Sequence, residues 1–393
     1  MRTLRAVVVG AGLAGAALAW PTSPAPAAGQ PTVKCTEGAT LLLQQGVRVF
    51  RVPQRIDGAL DGRGKADYAC RGRRGRPIRV GENYTDDRNQ GDQVTRAFAF
   101  SGPRYLGVTS DYNGGEACGQ RDYILRDVRS PRFVHSYGGD CAFAEYTDTD
   151  EIVVTPRGAM AVISYDDVLA FGPGRGARRR RLSTVAEDLV VSDIAARGEL
   201  VYWTETPKGG APAVRSSVIG PGPGAGSESQ SFQTSRLPRR TGACARGGTT
   251  VARSVLVRVV DRTAGGSTRR TACRITGSVA VELPSGDLED LQIAADRWVL
   301  ALERSNATLI DVSGDRSGAV ALPDGATFRQ VTLLDDGTFA WLESTGRLVA
   351  QPPGGSPTVL ADAAAAPSAL ASSGSTIYWT QADGPKRASA PAS

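Results

Sequence analysis

The chain has 393 residues with a formal net charge of +6, from 46 Lys and Arg against 40 Asp and Glu, and it contains one histidine. That balance is mild for the length and gives no footprint for nucleic acid, which calls for a concentrated basic face with interleaved aromatics. The length is sufficient for a large core in one or two domains.

The first element is AVVVGAGLAGAALA, Ala6 to Ala19. Its Gly10, Gly12 and Gly15 match a dinucleotide-binding G-x-G-x-x-G, but that motif requires a following helix and an acidic residue about 20 positions on. Pro21, Pro24 and Pro26 forbid the helix, and the first acidic residue is Glu37. A secretory signal accounts for every residue instead. Arg2 and Arg5 form the basic end, Ala6 to Trp20 the apolar stretch, and Ala25-Pro26-Ala27 the small-residue cleavage site. The sequence therefore predicts a signal peptide over 1–27, with cleavage after Ala28 as a variant, and a single exported domain over 28–393. No later run is long enough to span a bilayer, so no transmembrane segment is expected after cleavage.

Six cysteines follow: Cys35, Cys70, Cys118, Cys141, Cys244 and Cys273. An even count in an exported chain points to disulfides, and the local spacing suggests Cys35–Cys70, Cys118–Cys141 and Cys244–Cys273 among 15 connectivities. Zinc is disfavoured, because there is no C-x-x-C and only one histidine.

From Leu41 onward one unit recurs. Its second strand reads VRVFRV (Val47–Val52), YLGVTS (Tyr105–Ser110), AMAVIS (Ala159–Ser164), LVYWTE (Leu200–Glu205), VLVRVV (Val255–Val260), WVLALE (Trp298–Glu303), FAWLES (Phe339–Ser344) and IYWTQ (Ile377–Gln381). The words LVYWT and IYWT are nearly identical. Turns precede most of them (QQG, SGPR, TPRG, AARGE, AADR, LDDGT, SSGST), supplying the Gly and Asp that tight hairpins use. Period-two alternation and enrichment in Val, Ile, Tyr and Trp mark these runs as strands. A repeat near 40–50 residues of short strands cannot bury both faces of one sheet alone, whereas radial stacking buries both. The predicted fold class is an all-β propeller of four-stranded blades, stapled by disulfides. Eight units are counted, with seven blades as the runner-up and a pair of β-sandwiches as the outside alternative. The eighth unit lacks a fourth strand, which the segment before Cys35 could supply. VLADAAAAPSAL (Val359–Leu370) is the only helix-like run, between units seven and eight, and GPGPGAGSESQ (Gly220–Gln230) reads as a flexible loop within one unit.

The words TPRGAMAVIS, LLDDGTFAWLES and GSTIYWTQ resemble repeats of exported bacterial β-propellers of the TolB-like and WD40-like group, in which a DG turn precedes an apolar strand. The resemblance covers most of Leu41 to Ala388, through short and degenerate motifs. Arg157 replaces the acidic turn residue in one unit, and no G-H…W-D pair occurs. Such a relationship implies a binding or scaffold protein, secreted or wall-associated, with enzymes scattered among its relatives.

Residues for chemistry are sparse. His135 in RFVHSYGG reads as structural, and a Ser–His–Asp site has no G-x-S-x-G to use. Asp111, Asn113 and Glu116 in DYNGGE, with Asp148, Asp150 and Glu151 in TDTDE, are weak calcium candidates against the plainer reading of two solvated acidic loops. No other cofactor is indicated. Asp166, Asp167, Asp335 and Asp336 are available for glycosidic chemistry, and the turn in DDGTFAW reads more simply as an Asp-capped hairpin. Arg178, Arg179, Arg180 and Arg181 form a run that suits either an anionic polymer or a charge-blunted sheet edge. Asn83 and Asn306 head glycosylation sequons. The expectation is a binding or scaffold protein for an unknown protein or cell-surface polymer, taking its ligand at a mouth of the central channel. The alternative is an extracellular propeller hydrolase or lyase acting on a polysaccharide through carboxylates.

Overall fold

Each recurring word forms a strand because its alternation lets one face pack inward while its turn reverses the chain. In the second strands both faces are covered: Trp298–Leu302 and Phe339–Glu343 are buried at every position, and Met160–Ser164 at all but one. Outer strands are open to solvent, as in Arg179–Arg181 and most of Thr358–Ala361. That gradient belongs to sheets stacked face to face around a centre. The turns are as anticipated. In LDDGT, Gly337 takes φ +87° and Asp336 accepts a hydrogen bond from the Thr338 amide at 2.8 Å.

The computed structural model describes residues 33–391 apart from 73–74, 86–90, 114–119, 131–132, 139–151, 165–166, 175, 186–187, 235–246, 278, 315–316 and 323–324. Among these residues the antiparallel strands fall into groups in chain order, numbered here as sheets 1 (39–85), 2 (92–138), 3 (152–181), 4 (189–228), 5 (249–283), 6 (290–321), 7 (328–361) and 8 (368–389), with edge pairing joining sheets 5, 1 and 2 into one continuous 13-stranded ladder that also takes Gln230–Gln233. Sheet 4 is a pair of long strands, Leu189–Pro207 and Ala213–Glu228. Sheet 8 has three strands and the others four. The architecture is a β-propeller of predominantly four-stranded sheets.

The apolar clusters give the order of packing. Val49 and Phe98 join sheets 1 and 2, Leu125 and Met160 sheets 2 and 3, and Val168 and Val201 sheets 3 and 4. Val259 and Val299 join sheets 5 and 6, Leu300 and Trp341 sheets 6 and 7, and Leu342 and Ile377 sheets 7 and 8. The remaining contacts close the cycle in an unexpected way. Sheet 4 meets sheet 8 through Tyr202 and Tyr378, and sheet 1 meets sheet 5 through a strand-edge pairing of Leu43 with Arg253. The cyclic order is therefore 1-2-3-4-8-7-6-5, and the second four sheets run around the ring against the sense of the first four.

Matched contacts relate the two sets. Arg48 donates to Thr40 at 2.9 Å and Arg258 to Thr250 at 2.7 Å. The same two arginines stand opposite Cys70 and Cys273. Arg104 covers the Tyr105 ring and pairs with Asp127, while Arg297 covers Trp298 and pairs with Asp311. Gly158 and Gly337 sit against those two rings, so a Cβ at either glycine would strike the aromatic. At the seam itself the contacts are reciprocal. Tyr202 Oη lies 2.6 Å from Thr380 Oγ1, Tyr378 Oη lies 2.9 Å from Thr204 Oγ1, and the two rings stack at 5.7 Å. Reciprocity of this kind is the signature of a local two-fold.

Several sequence expectations are thereby corrected. Residues 1–32, the segment expected to complete sheet 8, lie outside the described residues. Ala39–Gln44 pairs with Thr249–Arg253, which makes sheets 1 and 5 neighbours. Val359–Leu370 is a strand end, a single 3-10 turn at Ala363–Ala365 and the start of the next strand, since Asp362 caps the Ala365 amide and Pro367 blocks continuation. Gly220–Gln230 is no loop within one unit: it runs from the strand Ala213–Glu228 into Gln230–Gln233, which pairs with Asp92–Ser101 of sheet 2. The Cys35–Cys70 disulfide is present, and Cys273 is disulfide-bonded. Cys118, Cys141 and Cys244 lie outside the described residues.

Two predictions follow from the packing. Tyr378→Phe should lower stability by about 1 kcal/mol, the net effect of one buried hydrogen bond, and Tyr202→Phe by about 1–2 kcal/mol, because its hydroxyl also donates to Ala369 O at 2.9 Å. Urea unfolding of both single variants checks this. Gly337→Ala should cost more, about 2 kcal/mol or above, because the methyl group meets Trp298 at a positive φ. Thermal unfolding should register that loss.

Candidate functional site in the central cavity

The first strands of the sheets converge on the centre, and the segment 227–234 passes between them. The Ser229 amide donates to Ala196 O at 2.9 Å, and Ser229 Oγ accepts from the Val154 amide at 3.0 Å. Further along, the Thr234 amide donates to Arg96 O at 2.6 Å. Within this segment Glu228 is the anchor. Its Oε1 accepts from Thr332 Oγ1 and from the Ser372 amide, both at 2.7 Å, and its Oε2 lies 3.5 Å from the Arg197 guanidinium. Arg197 in turn donates to Leu370 O at 2.6 Å and Val331 O at 2.8 Å. One buried ion pair thus ties sheets 4, 7 and 8 to the crossing segment.

Burial pushes the Glu228 carboxyl above its usual range, against the opposing pull of Arg197, Thr332 and Ser372. The same burial lowers Arg197. Both shifts show desolvation outweighing attraction, so the pair serves geometry more than net stability.

Beside this pair lies an open pocket of about 430 Å³, and a second of about 450 Å³ adjoins it; the two are the lobes of one open cavity. The lobes share Gln45, Gln230, Glu289 and Asp290. Gln44 and Asp287 line the first lobe, and Gln292 and Gln330 the second. Some of these amides are committed: Gln45 Oε1 accepts from the Gly102 amide, and Gln330 Oε1 from the Leu370 amide at 2.7 Å. Gln292 Nε2 donates to Asp290 Oδ2 at 2.8 Å. Gln44 and Gln292 are each only 4% exposed, and Gln44 Nε2 and Gln292 Oε1 are closed off without a hydrogen-bond partner. A buried amide group left unpaired costs about 1–3 kcal/mol, which makes such positions stand out in a folded protein.

The residues singled out from sequence lie elsewhere. Asp111 is 2% exposed and held between Arg96 and Arg121, each guanidinium at 2.8 Å, so its oxygens are already occupied. Asn113 ends the strand Tyr105–Asn113. Glu116, Asp148, Asp150 and Glu151 fall outside the described residues, as does Asp166. Among the described residues no cluster of His, Cys, Asp or Glu suits a metal ion. His135 is buried against Phe171, with Nε2 2.8 Å from Gly172 O, and burial lowers its pKa against that bond. It is a structural histidine. Arg179–Arg181 form the outer strand of sheet 3, and Arg178 is exposed beside it. Arg180 donates to Val218 O at 2.9 Å, Arg181 pairs with Asp167, and Arg179 covers Tyr137. Asn83 is committed to Asp67 and to the Thr95 amide, while Asn306 is exposed. Asp335 and Asp336 sit in an exposed hairpin turn.

Sequence reasoning passed over Arg197, Glu228 and the glutamines. Arg197 was one letter of a turn word, and Glu228 lay in a low-complexity stretch. A weak signal did exist: Gln292 and Gln330 occupy first strands, Asp290–Ala294 and Phe328–Leu333, and Gln292 stands between the apolar Leu291 and Ile293.

No protein-family model and no curated protein matches the sequence. Solved structures with similarity include the Dos1 propeller, 10% identical over 91% of this chain and 94% of that one, with a TM-score of 0.30. BamB from Moraxella catarrhalis is 11% identical over 88% and 99%, with a TM-score of 0.25. The virginiamycin B lyase from Staphylococcus aureus is 9% identical over 74% and 95%, with a TM-score of 0.24.

Two predictions concern charge. Arg197→Met strands Glu228 in the interior and should cost about 3–5 kcal/mol, whereas Glu228→Gln keeps an acceptor for Thr332 and Ser372 and should cost less. Chemical denaturation at neutral pH separates the two. Asp311 carries the acid dependence. Burial raises its carboxyl, but the hydrogen bonds from Arg297 and Ser313 outweigh burial and bring it to about 2. A depressed folded pKa stabilises above the ordinary value of 3.8 and fades as pH falls toward 2. Asp311→Asn should therefore remove about 2 kcal/mol at neutral pH and flatten the stability profile across that window.

Proposed function

We propose that the chain is an exported binding or scaffold protein that takes a protein or cell-surface polymer in the two-lobed central cavity. The observation that carries this reading is the cavity itself, polar in lining and pinned by the Arg197–Glu228 pair. Concave sites of some 300–1,000 Å³ at a point where several elements meet are the usual seats of ligands. Glu228 has its acceptors engaged, an arrangement of an anchor and not of a free catalytic carboxylate, so binding is preferred to hydrolysis or lysis.

Export rests on the basic-apolar-small pattern of 1–27, and the Cys35–Cys70 bond supports an oxidising compartment. Among the described residues no helix is long and apolar enough to cross a membrane. The TolB-like resemblance supports a role at the cell envelope or wall.

The test expresses the chain with its own N-terminus in a bacterial host and measures intact mass with and without reduction, then captures cell-surface material on the purified protein. Secreted protein beginning near Ala28 with its cysteines oxidised, and retaining material that a Gln292→Leu variant does not, is the expected result. Cytosolic full-length protein with free thiols, or capture indifferent to Gln292, overturns the reading.

A further inference from the structure

The seam between sheets 1 and 5 carries a row of arginines. Arg48 stands opposite Leu43, Leu43 opposite Arg253, and Arg253 opposite Arg258, on four neighbouring strands. Directly opposed residues of an antiparallel ladder share a face, and strands lie about 4.8 Å apart, so the three arginines occupy one face within about 14 Å. Alternation gives the other face to Leu42, Val49, Ala252 and Val259, all fully or almost fully buried. Gln44 and Ala252, which line the central cavity, belong to that other face, so the arginine row looks away from the cavity.

Arg253 is the outlier in this row. It is half-buried, and among the described residues its guanidinium makes no hydrogen bond or ion pair. Its Nε is closed off from solvent, whereas its two Nη groups are not. Burial first, then the charges of Arg258 and Arg48, bring its pKa down to about 10, and no carboxylate opposes them. Arg48 meets neutral oxygens, Thr40 Oγ1 and Glu37 O at 2.9 Å each and the Cys35 carbonyl, and the Glu37 carboxylate accepts from the Lys34 amide at 3.1 Å. The fold itself does not require a cation at this position. The contacts that match Arg48 with Arg258 and Thr40 with Thr250 also match Arg253 with Leu43, where the same backbone carries a hydrocarbon. A charge held partly out of water without a counter-charge costs free energy, and a bound anion offsets that cost.

We propose that this face is an anion site, in which the Nη edge of Arg253 takes a phosphate group and Arg258 and Arg48 supply the surrounding positive field. A guanidinium presents a planar fork to two oxygens of one anion. Neighbouring positive charges favour an oxyanion close to two negative charges, which a phosphate monoester carries at neutral pH and a carboxylate does not. Free phosphate and a phosphate headgroup on a lipid share that chemistry.

The test titrates inorganic phosphate into the oxidised protein, Arg253→Leu and Arg253→Lys by calorimetry, and follows thermal unfolding of each with and without phosphate. The unaltered protein should bind, with an affinity that falls as salt rises. Arg253→Leu should weaken binding at least about tenfold, and Arg253→Lys, a point charge without the fork, should fall between. Without phosphate, Arg253→Leu should unfold no earlier than the unaltered protein, because it copies Leu43. Phosphate should raise the unfolding temperature of the unaltered protein beyond the general salting effect that all three share. A purely structural arginine would lose stability on substitution and leave that phosphate-dependent difference at zero. Flotation with phosphatidylcholine vesicles, with and without phosphatidic acid, separates the sources. Capture by phosphatidic acid that needs Arg253 assigns a headgroup, and binding of the free ion alone that needs Arg253 assigns soluble phosphate. Binding of neither, or binding that Arg253→Leu leaves unchanged, overturns the site.

Discussion

A sheet with two apolar faces needs a neighbour on each, and a stack of such sheets ends only when its last face meets its first. Here closure falls at two places. At one, the Tyr202 and Tyr378 rings stack and exchange hydrogen bonds with Thr380 and Thr204. At the other, Leu43 pairs with Arg253 along the strand edge. Burial raises the Tyr202 hydroxyl to about 12, so it stays protonated and able to donate throughout the accessible pH range. The first seam is sealed by side chains and the second by backbone, and the rest of the ring inherits its spacing from them.

Reversal of the second four sheets has a physical cost and a consequence. The chain must cross the centre to reach sheet 5, and the segment 227–234 does so. Polar backbone at the centre of a protein must be paired, and Ser229, Gln230–Gln233 and Thr234 are paired with strands of sheets 2, 3 and 4. Glu228 fixes the crossing to sheets 7 and 8. The space left beside it is the cavity, so closure, crossing and site share one cause.

Much of this was legible before any coordinates. Seven of the eight second strands stand where alternation put them, while Leu200–Glu205 falls within the long strand Leu189–Pro207 of a two-stranded sheet; the Asp-capped turn at Asp336 was expected from DDG, and Cys35–Cys70 followed from spacing. The repeated word LVYWT/IYWT was visible too, but its meaning was not. Periodicity reports which faces are buried and says nothing about which buried face meets which, because that choice is made by shape and by groups far apart in sequence. Arg197 and Glu228 illustrate the same limit. Their partners, Leu370, Val331, Thr332 and Ser372, are more than a hundred residues away, and no local pattern marks them.

The ring order is the claim on which the seams, the crossing and the cavity all rest. The most direct measurement is an NMR spectrum of protein labelled at tyrosine, with the ring signals of Tyr202 and Tyr378 assigned by single Phe substitution. The account predicts a nuclear Overhauser contact between those two rings, whose centroids lie 5.7 Å apart. Absence of that contact, together with contacts from Tyr202 to methyl groups of sheet 5 or from Tyr378 to those of sheet 1, would contradict it.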